Sequence, residues 1–295
     1  MKVHIKCAPC LLNRGCLEIE RASKDQNVRF KAMVELLKLF NREFSAEACP
    51  SILGTKRDRL IRRITGNDDP YRELKHESNV QVLKLFPRAQ SFVQEHRTSL
   101  ERFRAACMVA LVGNMIEFDI IGHDFNFSLL EESFINVQLG VDDINRIYEL
   151  LGLSKKVMFL TDNAGEIVFD AILTNEMRNS GVKVIVAVKD KPVLNDATME
   201  DALEIGMQKF ADEVITTGTD TLGLILSEAS EEFRGKLKEC DLVIAKGMAN
   251  YETLAEEKVD MPMAFLLMAK CDPIALDFDV KKGSAVAKLI MPKTV

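Results

Sequence analysis

Two hydrophobic periods divide the chain. From about residue 6 to residue 153, apolar side chains recur three or four positions apart, the spacing of amphipathic helices. In VRFKAMVELLKLFNREF, this spacing puts Phe30, Met33, Leu37 and Phe40 on one face, with Arg29, Lys31, Glu35 and Lys38 elsewhere. RLIRRITG, SNVQVLKLF, RTSLERFRAACMVALVGNMI and VDDINRIYELLGL repeat the pattern, broken at Gly54, Gly66, Gly122 and Gly140. No strand pair is expected there, so residues 1–153 read as a helical region.

Beyond Leu153 the texture changes. Short apolar runs follow one another: KVMFL (156–160), VKVIVAV (182–188), DEVIT (212–216), DLVIA (241–245) and MPMAFLLMA (261–269). Helix-like stretches separate them at 165–178, 198–209, 221–238 and 250–258. Near-continuous apolar strands alternating with helices predict a Rossmann-like, mostly parallel sheet covered on both faces, over residues 154–295. The expected fold is α/β, with an all-helical region preceding the sheet. Ligands of such sheets sit beyond the carboxyl ends of the strands.

The loops at those ends carry the candidate chemistry. They hold Thr161-Asp162-Asn163-Ala164-Gly165-Glu166, then Asn195-Asp196-Ala197-Thr198, then Thr216-Thr217-Gly218-Thr219-Asp220, and lastly Lys246-Gly247-Met248-Ala249-Asn250-Tyr251-Glu252. Any one of them could be a helix cap, since Asp, Asn, Thr and Ser accept backbone N–H bonds there. Four together favour a site. Asp162, Asn163 and Asp196 offer hard oxygen ligands suited to Mg²⁺ or Mn²⁺. Helix N-termini favour an anion, Gly218 and Gly247 would let backbone approach it, and Thr217 is expected to bind substrate beside them. Lys246 is expected to face the same crevice with its charge. Metal, lysine and amides around one point are the parts needed to hold and transfer a phosphoryl group.

Composition narrows the classes further. The 295 residues carry a formal charge of -6, with no clustered basic face, so no nucleic-acid partner is expected. No apolar run reaches the length of a membrane span, and no membrane partner is expected. The N-terminus MKVHIKCAPC lacks an apolar signal core, which predicts a cytoplasmic location. Seven cysteines read as reduced thiols, and Cys7 and Cys10 are either inert or part of a site near the crevice with Cys271. His4, His76, His96 and His123 show no ligand spacing. G-x-G-x-x-G after a strand, G-x-x-x-x-G-K-[ST] and G-x-S-x-G are all absent. Oligomeric state stays open.

TDNAGE, PVLNDATMEDA (192–202), TTGTDTLG (216–223) and KGMANYE (246–252) resemble the domain-of-unknown-function 89 family, the damage-control phosphatases. CAPC (7–10), KHESN (75–79) and GNMIEF (113–118) resemble its bacterial and archaeal branch with an N-terminal Cys-x-x-Cys. The resemblance covers essentially the whole chain. It implies a phosphatase for small phosphorylated metabolites that depends on a divalent ion (Mn, Mg, Co or Ni). The family's metal ligands fall on Asp162, Asn163 and Asp196, its phosphate-binding lysine on Lys246, and further motif positions on Glu166, Asn250 and Glu252. Glu166 is expected to join Asp162 and Lys246 in catalysis. The family commonly has Gly-Asn-x-Ile-Asp where this chain ends in Glu117, and motifs of eukaryotic relatives near the C-terminus are missing. Side chains that read the rest of the substrate are expected from the helical half, at Ser78, Asn79, Asn114 and Glu117. Either water attacks the phosphoryl in line or Asp162 itself does so. Two other readings are an S-adenosylmethionine-dependent carboxyl methyltransferase and a non-catalytic phosphometabolite-binding protein.

Overall fold

The computed structural model describes residues 1–115, 133, 134, 136–257 and 260–292. Glu117, Gly122 and His123 lie outside these residues. Over residues 1–115 the helices are α1 (Cys7–Ala22), α2 (Gln26–Glu43), α3 (Pro50–Thr65), α4 (Arg72–Leu83), α5 (Phe86–Gln94) and α6 (Ser99–Met115). Their ends follow local chemistry. Asp25 caps α2 by accepting from the Asn27 N–H at 2.8 Å, and α3 runs from Pro50 to a left-handed Gly66. Helices α1–α3 share a core of Leu11, Ile19, Leu36, Leu53 and Ile61.

The buried stripe of α2 differs from the expected one. Ala32, Leu36, Leu39 and Phe40 face inward, whereas Phe30 is 75% and Leu37 50% exposed. The helix carries more apolar residues than one face can hold, and its packing against α1 and α3 chose the neighbouring arc.

The remaining elements are β1 (Leu139–Asp142), α7 (Ile144–Leu153), β2 (Lys156–Leu160), α8 (Glu166–Asn179), β3 (Lys183–Val188), α9 (Met199–Glu204), β4 (Glu213–Thr216), α10 (Glu231–Lys238), β5 (Leu242–Lys246), α11 (Gly247–Leu254), β6 (Met263–Met268), α12 (Asp272–Asp277) and β7 (Ala285–Ile290). All five expected strands form, and they pair in parallel in the order β6-β5-β2-β3-β4. Two strands were not anticipated by the pattern. β7 runs antiparallel to β6, and β1, drawn from the half that reads as helical, pairs in parallel with β7 at the sheet's edge. With four residues and alternating burial, β1 is too short to interrupt the helical period around it. The stretch 221–238 also differs, since only α10 is helical. Gly223 holds a positive φ of 66°, and a Cβ there would collide with the Ala249 carbonyl.

The interior strands are closed on both faces. Every residue of β5 and β6 is buried, as is all of β2 after Lys156. Helix α6 lies along α8 over one face. No helix among the described residues is long and apolar enough to cross a membrane. The chain progresses outward from β2 through β3 to β4, then returns to place β5 on the other side of β2. The topological switch point therefore falls between β2 and β5.

Candidate active site

Backbone pairing beyond the strand ends builds the site. After β2, residues Asn163 and Asp196 form an isolated antiparallel bridge. The Ala164 N–H donates to the Asn195 carbonyl at 2.9 Å, and the Ala197 N–H donates to the Asp162 carbonyl at 2.8 Å. Asp162, Asn163 and Asp196 are thereby zipped together. Leu194, just before them, has a φ of 46° and donates its N–H to Asp58 Oδ1 of α3 at 3.2 Å. A non-glycine residue in that region stores strain of the kind that collects at functional loops.

Side chains then orient Asp162. Asn114 Nδ2 donates to its Oδ2 at 3.0 Å and Asn163 Nδ2 at 2.8 Å. The same two amides donate to Glu166 Oε2, at 2.9 and 2.8 Å. Asn114 Oδ1 in turn accepts from the Met268 N–H at 3.1 Å, fixing α6 to the end of β6. These bonds consume one oxygen of Asp162 and the amide nitrogen of Asn163, and leave Asp162 Oδ1 and Asn163 Oδ1 without partners among the described residues. Gly247, with a φ of 78°, makes room for the carboxylate, because a Cβ there would overlap it. Neither Asp162 nor Asn163 caps α8, whose N-cap is Gly165.

Burial governs the charges. Desolvation pushes Asp162 up to about 6, helped by Glu166 and opposed by Lys270 and Lys246. Desolvation pushes Asp196 up to about 8, against the pull of Lys189 3.6 Å away. Burial would also raise Glu166, but the adjoining Lys246 holds it below its ordinary value. Two carboxylates that resist ionisation beside an amide oxygen suit a divalent cation, which would supply the missing positive charge. Among the described residues, no three His, Cys, Asp or Glu side chains form such a group by themselves.

These residues open onto a cavity of about 430 Å³, the size of a small-molecule pocket. Asn114, Asp162, Asn163, Asp196 and Glu252 line it. Glu252 also accepts from Ser51 Oγ at 2.6 Å, which ties α11 to the start of α3.

Several expected residues serve other purposes. Lys246 is completely buried, with Nζ bonded to Glu166 Oε1 at 2.5 Å, Asp170 Oδ1 at 2.6 Å and the Ala110 carbonyl at 3.0 Å. Its ammonium is saturated beneath the site and does not face the cavity. Glu166 is likewise closed off, and it reaches Asp162 only through the two amides. Asn250 Nδ2 ties the ends of β2 and β5 by donating to the carbonyls of Thr161 (3.1 Å) and Lys246 (2.7 Å). Asn79 accepts from the Gly165 N–H at 2.6 Å and donates to Asp201 and Glu204, so it tethers the start of α8 to α9. Ser78 bonds back to the Leu74 carbonyl within α4. Thr217 bonds to the Thr219 carbonyl, and Gly218 packs against Ser230, so neither lines the cavity.

Other residues enter the site unannounced. Lys270 follows β6, lines the cavity and pulls on Asp162. Its signature, a lysine closing an apolar run, is the one that pointed to Lys246. Arg14 and Arg57 line the helical side. Cys7, Cys10 and Cys271 all reach the cavity wall as free thiols, and burial pushes Cys7 and Cys271 up.

Known proteins share this architecture along its whole length. The family described as Damage-control phosphatase ARMT1-like domain matches residues 3–286. A damage-control phosphatase of Archaeoglobus fulgidus is 37% identical over 98% of this chain and 100% of its own. One from Pyrococcus horikoshii is 34% identical over 97% of both chains. The crystal structure of a DUF89 family protein from Pyrococcus horikoshii superposes with a TM-score of 0.87, at 34% identity and full coverage of both chains. A family match that spans nearly the whole sequence, with a shared fold at this identity, shows that the chain belongs to the ARMT1-like damage-control phosphatases.

Proposed function

We propose that this phosphatase hydrolyses small phosphorylated metabolites with the help of a divalent metal held by Asp162, Asn163 and Asp196. The observation that carries this reading is the backbone bridge between Asn163 and Asp196, which joins the loop after β3 to the loop after β2 so that Asp162, Asn163 and Asp196 line one cavity. The ion would neutralise and polarise the phosphoryl oxygens. Asp162 would present Oδ1, held in place by the Asn114 and Asn163 amides on Oδ2. Glu166 would position those amides, and the buried Lys246 would hold Glu166. Lys270, at the cavity wall, would offset charge on the transferring group. The cavity's size favours a small ester over a polymer.

The test is turnover of 4-nitrophenyl phosphate with Mn²⁺, Mg²⁺, Co²⁺ or Ni²⁺ against a chelated control. Asp162→Asn keeps the shape and removes the charge. It should lower metal-supported kcat/KM by about a hundredfold or more without loss of fold. Full activity under chelation, or wild-type turnover by Asp162→Asn, would overturn the assignment.

A further inference from the structure

The two sides of the cavity differ in charge. The sheet edge contributes Asp162 and Asp196, whereas the lining from Lys6 and helices α1 and α3 includes Lys6, Arg14 and Arg57 and no acidic side chain. Among the described residues, five basic side chains line the cavity against four acidic ones. A divalent ion would raise that surplus of one positive charge to three, beyond the roughly two negative charges of a phosphate monoester.

Among the described residues, buried side-chain atoms without a hydrogen-bond partner belong to Arg57, its partner Glu18 (Oε1) and Asp170 (Oδ2), and of these three residues only Arg57 lines the cavity. Arg57 is 1% exposed, and its Nε donates to Glu18 Oε2 at 2.9 Å. Nη1 and Nη2 have no hydrogen-bond partner among the described residues. Gly15 permits this arrangement, since a Cβ there would strike Leu36 and stand 3.1 Å from Arg57 Cδ. Bulk water does not reach the fork, and a buried donor pair left unmet costs free energy that a site recovers when an acceptor arrives. A planar guanidinium matches the paired oxygens of a carboxylate or phosphate. Contact asks the guanidinium to turn outward on its flexible stem, at the expense of the one bond to Glu18.

We propose that Arg57 anchors a second anion subsite, so that the preferred substrate is a phosphate ester carrying a further carboxylate or phosphate group. This rests on the phosphatase reading, with the reacting phosphoryl at the sheet edge and the second anion at the helical wall.

Non-hydrolysable ligands test it apart from catalysis. Alkylphosphonates of increasing length are compared, by calorimetry on the Mn²⁺-loaded protein, with counterparts ending in a carboxylate (3-phosphonopropionate and homologues) or in a second phosphonate. Wild type should bind the best-fitting doubly charged ligand on the order of ten- to a hundredfold tighter than its uncapped partner. The stronger cap tells carboxylate from phosphate. Arg57→Gln should bring the preference close to one, and Arg57→Lys, which keeps the charge but not the fork, should lose several-fold of it. Because Arg57→Gln leaves Glu18 without its partner, the double variant Glu18→Gln, Arg57→Gln guards against misfolding and should lose the preference equally. The proposal is overturned if the variants keep the preference, if they weaken capped and uncapped ligands alike, or if wild type prefers no capped ligand. Absence of 4-nitrophenyl phosphate turnover beside an intact Arg57-dependent preference would instead refute the phosphatase reading alone.

Discussion

Residues 161–166 after β2 and 217–220 after β4 share Thr, Asp and Gly, with Asn163, Ala164 and Glu166 added in the first, yet they behave differently. The first presents Asp162 and Asn163 to the cavity. In the second, Asp220 accepts from Arg59 and Arg62 of α3, and the Thr217 carbonyl accepts from the Ser230 N–H at 3.1 Å. Strand order separates them. β2 lies at the switch point beside β5, whereas β4 is the sheet's edge, where α3 closes over the strand end. A loop's composition shows what it could bind; its place in the sheet decides whether anything can reach it.

The comparison breaks most readily at Gly247. Gly247→Ala puts a methyl group into the space of the Asp162 carboxylate and strains a φ of 78°. The expected result is a loss of kcat/KM of about a hundredfold or more, measured on an aryl phosphate. Wild-type turnover would show that Asp162 need not sit where it does.

Lys246 comes next, because it closes β5 at the switch point but serves the interior. Lys246→Met leaves Glu166 and Asp170 as buried carboxylates without their cation. It should cost about 3–5 kcal/mol of stability by urea unfolding, the scale for breaking a buried pair. Normal stability with weakened phosphate binding would return the lysine to a phosphate-binding role.

A smaller effect is expected from pH. Folding raises Asp162 to about 6 and Asp170 to about 7 from the ordinary 3.8 of an aspartate. Between about pH 4 and pH 7 these two carboxyl groups thus hold more protons in the folded, chelated protein than in the unfolded chain, so their contribution to stability falls as pH rises. Mn²⁺, which competes with the Asp162 proton, should flatten that group's part of the decline. Thermal unfolding of wild type and Asp162→Asn at intervals across that range, with and without Mn²⁺, reads the contribution; a slope under chelation that Asp162→Asn leaves unchanged would contradict the charge assignment.

The edge loop should yield the smallest catalytic change. Gly218→Ala meets Ser230 and a φ of 74°, so it should lower Tm by several degrees. Asp220→Asn should cost about 1 kcal/mol or less through its partly exposed pairs with Arg59 and Arg62. Neither should alter Mn²⁺ affinity. A change in metal binding from either would mean that the two loops are less separate than their positions suggest.

Much of this was legible along the chain. Continuous apolar runs announced the interior strands because both of their faces are buried, and Asp162 and Asn163 just after β2, with Asp196 in the loop that follows β3, stood out as oxygen donors. β1 escaped because four residues of alternating burial carry almost no period. Ser78 and Asn79 were misread as substrate contacts because a tether and a ligand-binding residue use the same hydroxyl and amide groups.

The two lysines mark the boundary between sequence and tertiary structure. Covalent order places both Lys246 and Lys270 at the end of an apolar strand, and the hydrophobic pattern requires those strands to be buried. Local sequence thereby determined the α/β alternation, the strand ends and the stock of oxygen and nitrogen groups gathered there. Which lysine meets the cavity was decided by contacts far away in the chain. Ala110 on α6 and Glu166 and Asp170 on α8 capture Lys246, while Lys270 lies on the cavity wall. A long, flexible side chain takes its direction from the acceptors that the fold brings within reach, and spacing along one strand does not encode them.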